Sequence, residues 1–298
     1  MLNQKITATG ASASASLKSL RPLATGAAVT PFRRTPEDAG ATIHTGRPSK
    51  VAVRHAPVAP EKVLQAFNTW AFKREQPDNI ASLHHTIGDA VRHARPVPFV
   101  LYWGKGPRCE LAQPDSTCLD YLASLGARVR QAYAPGASFK LIFTDTHANL
   151  NGHAPEAIDS YFNAVGEAAR ERGFDGCRLS ELVFAAETAG ATDVADEHIP
   201  DEMMEKLGAC AAKWFRGEGT VEEGAARYLQ MNMVEKRSVQ FAFSRSIFIT
   251  FNGSEFRSLF PDRMPIFYMY SLRRGTSVKP WFLPAPQAPE VDALAVPE

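Results

Sequence analysis

Two short segments of this 298-residue sequence combine aromatic, polar and glycine residues in a way that suits small-molecule binding. The first is Tyr102-Trp-Gly-Lys-Gly-Pro-Arg108, in which Lys105 stands between two glycines. Glycine lets backbone N–H groups come close to a ligand, and an ammonium beside them can hold an anionic group. The GxxxxGK[ST] and GxGxxG patterns of phosphate and dinucleotide loops are missing, so a tight turn that needs glycine is the alternative.

Tyr102 and Trp103 add two aromatic rings to this segment. Aromatic faces attract a cation such as an ammonium or sulfonium by about 1–2 kcal/mol when the pair is desolvated. The sequence therefore predicts a cation-binding role for both rings, with burial in the core as the alternative.

The second segment is Thr144-Asp-Thr-His-Ala-Asn149. An acid at the position of Asp145, directly after a strand, commonly binds a ribose hydroxyl or a substrate amine, and it is also a frequent helix cap. His147 and Asn149 follow as further candidate ligand contacts, although either could simply close the turn.

A third group of candidates lies nearer the C-terminus, at Glu235, Arg237, Ser244 and Arg245. A glutamate can bind the ammonium of an amino acid while an arginine binds its carboxylate with two hydrogen bonds. A solvated charged surface is the alternative for such a cluster.

Alternating strand and helix patterns position these segments. Apolar strands are predicted at 97–102, 139–143 and 177–179, and helices at 119–129 and 158–170. This alternation indicates an α/β, Rossmann-like fold with a mostly parallel sheet and helices on both faces. In such sheets ligands bind beyond the carboxyl ends of the strands, which is where the first two segments fall.

The remaining elements lie on either side of this core. Two amphipathic helices are predicted between 59 and 95, as an N-terminal helical arm, and two antiparallel strands at 246–251 and 266–271. We expect a basic arm over 1–58 that could act as a lid, a catalytic domain over 59–284 and a proline-rich acidic tail over 285–298.

Charge and cysteine content narrow the classes of partner. The chain has 33 basic and 32 acidic residues, which argues against nucleic acid or a membrane surface as partner and leaves a small-molecule substrate. Residues 1–58 carry a net charge of +6 and the rest carry −5. The four cysteines show no CxxC spacing, so neither a metal site nor a disulfide framework is expected, and the protein is predicted to be cytoplasmic.

The order of the short motifs resembles the isocyanide synthase family, which includes pyoverdine-chromophore and dityrosine-type enzymes. The resemblance covers roughly 60–284 and implies a Rossmann-like fold with an active site near Lys105, Asp145 and Glu235. The motifs are Tyr102-Trp-Gly-Lys-Gly-Pro107, Pro114-Asp115, Tyr133-Ala-Pro-Gly136, Thr144-Asp145, Tyr161 and Lys279-Pro-Trp-Phe282.

This chain has Tyr102-Trp-Gly-Lys-Gly-Pro107 where the family has Phe-Pro-Phe-Lys-Ser-Pro, and Thr144-Asp-Thr146 where it has Ser-Asp-Gly. It looks closest to the azetidine-2-carboxylate synthases, which implies S-adenosylmethionine as substrate and no metal. In that reaction the α-amine displaces 5′-methylthioadenosine from Cγ, and Trp281 would join the two aromatic rings at the sulfonium. The alternatives are isonitrile formation from an amino acid and ribulose-5-phosphate, with Lys105, Arg108 and Arg245 as candidate phosphate ligands, and a methyltransferase or non-catalytic relative.

Overall fold

The computed structural model describes residues 58–104, 111–192 and 201–269. Its helices are α1 (Pro60–Phe67), α2 (Ile80–Arg92), α3 (Gln113–Ala132), α4 (Asp145–Leu150), α5 (Pro155–Glu171), α6 (Leu179–Thr188), α7 (Asp201–Trp214) and α8 (Val221–Phe243). Its strands are β1 (Val97–Trp103), β2 (Ala137–Phe143), β3 (Asp175–Arg178), β4 (Ile247–Thr250) and β5 (Ile266–Tyr268).

The five strands form one parallel sheet in the order β3-β2-β1-β4-β5. β1 lies at its centre, where Leu101 pairs with Leu141 of β2 on one side and with Ile249 of β4 on the other. Helical crossovers return the chain to the same end of the sheet each time, as parallel pairing requires. The α/β, Rossmann-like fold predicted from the alternation of elements is confirmed.

The two C-terminal strands correct one expectation. We predicted an antiparallel pair, but β4 and β5 run parallel, with Phe248 opposite Ile266 and Ile249 opposite Phe267. The connection between them includes a 3₁₀ turn over Ser254–Leu259, so it is long enough to carry the chain back across the sheet. A tight hairpin would have favoured the antiparallel arrangement.

The sheet is covered by helices on both faces, because alternate residues of each strand point to opposite sides. Phe99, Leu101 and Trp103 pack into the larger apolar core with α1, α2, α3 and α5. Val100 and Tyr102 face the other side, where α6 and α8 cover a second core. A strand buried on both faces is apolar along its whole length, which is the pattern that the sequence shows.

The predicted helices between 59 and 95 are present as α1 and α2, and both pack on the larger core. The predicted tail lies outside the described residues, as does the predicted arm except for Val58. Among the described helices, none has a stretch both long and apolar enough to cross a bilayer.

Candidate functional site

The strand order reverses at β1, since the chain builds β2 and β3 on one side of it and β4 and β5 on the other. In open α/β sheets, the crevice beyond the carboxyl ends of the strands at such a reversal is the usual ligand site. Here Tyr102 lies near the end of β1, and the Thr144–Asn149 segment follows β2 directly. We call this region the carboxyl-edge crevice.

Helix α8 contributes the charged group of the crevice. Its first turn is fixed by a capping box, in which Thr220 Oγ1 accepts a hydrogen bond from the backbone of Glu223 at 3.2 Å and the Glu223 carboxylate accepts one from the backbone of Thr220 at 2.8 Å. Such caps hold the start of a long helix in place. Within this helix Glu235 is 1% exposed, so its carboxylate is almost fully removed from water.

Glu235 is held by two residues from the segment after β2. Its Oε1 accepts a hydrogen bond from Thr146 Oγ1 at 2.5 Å and contacts His147 Nδ1 at 2.9 Å. The His147 ring also stacks on Tyr228, with ring centres 6.1 Å apart. Within the described part of the chain, Glu235 Oε2 accepts no hydrogen bond, so one oxygen of a fixed and buried carboxylate remains available.

Tyr102 supplies a donor close to this carboxylate. Its hydroxyl is buried and has no hydrogen-bond partner among the described residues. Burial, and secondly the charge of Glu235, raise the pKa of Tyr102 well above its ordinary value of 10.0, so the phenol stays protonated. Buried polar atoms nearly always have a partner, and an exception calls for a functional explanation.

Asp145, the strongest single candidate from the sequence, has both carboxylate oxygens engaged by one residue. Oδ1 accepts a hydrogen bond from the backbone N–H of Ser180 at 3.0 Å, and Oδ2 accepts one from the Ser180 hydroxyl at 2.5 Å. Ser180 lies in the first turn of α6, so Asp145 ties the start of α4 to the start of α6. This resembles the capping alternative, except that the capped helix is a different one.

The structure does not bring Trp103 into the crevice. As the neighbour of Tyr102 on a pleated strand it points to the opposite face, and it is 0% exposed in the larger core. Its Nε1 donates a hydrogen bond to the Tyr161 hydroxyl at 3.3 Å, which in turn donates to Asp115 Oδ1 at 3.0 Å. Asp115 Oδ2 accepts a hydrogen bond from the backbone of Ala112 at 2.8 Å. We call this the Trp103–Tyr161–Asp115 chain.

The structure does not bring together the four residues predicted as a group near the C-terminus, which are Glu235, Arg237, Ser244 and Arg245. Arg237 lies two residues after Glu235, which is about 200° around a helix, and it lines a different cleft together with Ser244. Arg245 is exposed, as is Asn149 on α4. The predicted grip of a glutamate and a neighbouring arginine on one amino acid is therefore not formed by this pair.

Lys105 and Trp281 lie outside the described residues. Sequence reasoning missed Thr146 and Tyr228, although Thr146 is one of the departures from the family motif. Within residues 58–104, 111–192 and 201–269, no three His, Cys, Asp or Glu side chains are arranged to bind a metal ion.

No protein-family model matches this chain, and no curated protein matches its sequence. The solved structure of the PvcA protein from Pseudomonas aeruginosa is similar in fold, with a TM-score of 0.53 and 16% identity over 75% of this chain and 87% of that one. Tyrosyl-tRNA synthetase complexed with L-tyrosine from Pyrococcus horikoshii gives a TM-score of 0.41 and 12% identity, covering 67% of this chain and 52% of that one. The same enzyme from Archaeoglobus fulgidus gives 0.43 and 12%, with 72% and 64% covered.

Proposed function

We propose that this chain is a biosynthetic enzyme of the isocyanide synthase type that binds an α-amino acid in the carboxyl-edge crevice. The observation that carries the proposal is the buried, unpartnered Tyr102 hydroxyl beside the buried carboxylate of Glu235. The motif order supports the same type of enzyme, and the fold shared with PvcA is the Rossmann-like one that the resemblance implies.

The two groups suit the two ends of a zwitterion. Glu235 Oε2 would accept a hydrogen bond from the substrate ammonium, while the Tyr102 hydroxyl would donate one to its carboxylate. A hydrogen bond to a charged group contributes about 1.5–3 kcal/mol, and more when water is excluded. Because Thr146 and His147 hold Oε1, the orientation of the carboxylate is set before the ligand arrives.

Isonitrile formation uses the amine of the amino acid as a nucleophile, so that amine must lose a proton. In the proposed reaction the Glu235–His147 pair, in contact at 2.9 Å, would take this proton as the general base. Arg178, the last residue of β3, is already in contact with Asp159, and Lys73, which pairs with Met269 just after β5, is in contact with Gln76. We therefore assign the phosphate of ribulose-5-phosphate to the predicted ligands Lys105, Arg108 and Arg245.

A second candidate is the cyclisation of S-adenosylmethionine, which is itself an α-amino acid. The observation that favours it is Thr146 on Glu235, because this threonine replaces a glycine of the family motif inside the crevice. The amine nitrogen would form a bond to Cγ as the C–S bond breaks, and the sulfur would leave with the electron pair as 5′-methylthioadenosine. The amine proton would pass to the Glu235–His147 pair, and azetidine-2-carboxylate would remain.

Product analysis by mass spectrometry tests both candidates. The purified protein is incubated either with a panel of amino acids plus ribulose-5-phosphate or with S-adenosylmethionine alone. An isonitrile supports the first candidate, and 5′-methylthioadenosine with azetidine-2-carboxylate supports the second. Glu235→Gln should lower turnover or ligand affinity by about 30-fold or more, since it removes a charged hydrogen bond.

Glu222→Gln, an exposed glutamate on the same helix, is the matched control and should behave as wild type. The proposal fails if no product forms from any of these substrates and amino acid binding is the same in Glu235→Gln as in wild type.

A further inference from the structure

A second cleft, of about 640 Å³, lies at the C-terminal end of α8. It is formed by the last turns of this helix and by the residues just before β5, so it borders the amino ends of β4 and β5. We call it the amino-edge cleft. The residues used below are Arg237, Gln240, Phe241, Ser244, Asp262 and Arg263.

The described residues that line the cleft include one acid and two arginines. Its acid, Asp262, pairs with Lys236 Nζ at 3.2 Å and lies 3.9 Å from a guanidinium nitrogen of Arg257. Lys236 is itself buried, which strengthens its interaction with the carboxylate. With Asp262 neutralised in this way, the exposed guanidinium of Arg263 gives the described part of the cleft a positive charge.

The polar atoms available to a ligand are mainly hydrogen-bond donors. Gln240 Oε1 already accepts a hydrogen bond from the backbone N–H of Arg263 at 2.9 Å, which leaves its amide nitrogen as a donor. The Arg263 side chain is exposed and has no ion pair or hydrogen bond with the described residues. Ser244 adds an exposed hydroxyl. A guanidinium with a free edge can bind a carboxylate or phosphate with two parallel hydrogen bonds.

Phe241 gives the cleft an apolar surface. Its side chain is 53% exposed, although it stands on a helix that otherwise packs against the sheet and α6. An aromatic ring of this kind next to arginines favours a ligand that carries a flat apolar group as well as a negative charge.

From this set of donors and the exposed ring we infer that the amino-edge cleft binds an organic anion, a carboxylate or phosphate attached to a flat apolar group. The site is separate from the carboxyl-edge crevice and does not depend on the function proposed above.

Calorimetric titration of the full chain with phenyl phosphate and with benzoate tests the inference and distinguishes the two anions. Inorganic phosphate has the charge without the ring, and benzyl alcohol has the ring without the charge. Each should bind more weakly than whichever of phenyl phosphate and benzoate binds more tightly. Arg263→Gln should lower the affinity for the more tightly bound probe by about ten-fold, the value expected for one charged hydrogen bond. Phe241→Ala should weaken the binding of phenyl phosphate but not that of inorganic phosphate.

Arg245→Gln is the matched control, because Arg245 is an exposed arginine next to Ser244 that does not line the cleft. Arg263→Gln should keep the thermal stability of the wild type, so a change in affinity will report on the site. Equal affinity in Arg263→Gln and wild type overturns the inference. An equal loss in Arg245→Gln also overturns it, since the effect would then come from general surface charge.

Discussion

The two faces of β1 carry buried polar groups of opposite kinds. On one face, the indole N–H of Trp103, the Tyr161 hydroxyl and both oxygens of Asp115 have protein partners. On the other face, the Tyr102 hydroxyl has none among the described residues. A satisfied network stabilises a fold, whereas an unsatisfied buried group lowers stability unless a ligand completes it. The comparison gives one face a structural role and supports the ligand binding proposed for the other.

The largest expected effect comes from removing hydrogen bonds on the face that carries Trp103. Asp115→Ala leaves the Tyr161 hydroxyl and the Ala112 N–H without their acceptor, and we expect a loss of about 3 kcal/mol in the free energy of unfolding. Urea unfolding measures it. Asp120→Ala, an exposed acid on the same helix, should stay within about 0.5 kcal/mol of wild type. Equal stability of the two variants would show that the Trp103–Tyr161–Asp115 chain contributes nothing to the fold.

A substitution at Asp145 tests whether this residue of the crevice has a structural role or a ligand-binding role. Asp145→Ala removes both hydrogen bonds to Ser180, and we expect it to cost about 2 kcal/mol in unfolding free energy with little change in ligand affinity. A double-mutant cycle with Ser180→Ala should show that the two effects are coupled. A large loss of affinity with unchanged stability would return Asp145 to the binding role predicted from the sequence.

Substitutions at Thr146 test the ligand-binding role proposed for the face of β1 that carries Tyr102. Thr146→Val keeps the shape of the side chain but removes the hydroxyl that holds Glu235 Oε1, so amino acid affinity should fall by about ten-fold. Thr146→Ser keeps the hydroxyl and should bind as wild type does. Calorimetric titration with the substrate measures both variants, and an equal affinity in the two would remove the positioning role.

The smallest effect on stability is expected at the unsatisfied group itself. Tyr102→Phe should leave stability unchanged or slightly higher, while ligand affinity falls about ten-fold or more, because one hydrogen bond to a charged carboxylate is lost. A loss of stability with unchanged affinity would contradict the assignment of this face to binding.

The pH dependence offers a second measurement on the same residue. Because burial and the charge of Glu235 raise the pKa of Tyr102 above 10.0, the folded chain keeps this proton when the unfolded chain releases it. Stability therefore falls as pH rises above 10, and Tyr102→Phe should make that fall shallower. An identical fall in the variant would mean that Tyr102 ionises as readily in the folded chain as in the unfolded one.

Much of the fold could be predicted because alternating strand and helix patterns determine a parallel sheet. The direction of β5 could not, since its pairing with β4 is set by the path of the connection rather than by any local pattern. Trp103 could have been separated from Tyr102 by strand alternation, and Arg237 from Glu235 by helical spacing. The contact of Thr146 with Glu235 joins residues 89 positions apart, which no local pattern reveals.

Helix α8 reaches both ends of the sheet. Glu235 borders the carboxyl-edge crevice, and Ser244, about 14 Å further along the helix axis, borders the amino-edge cleft. A ligand that shifted α8 at either of these positions would also move the residues at the other. Thermodynamic linkage would then require each ligand to alter the affinity of the other by the same factor, so titrating one site with and without a ligand at the other would measure the coupling.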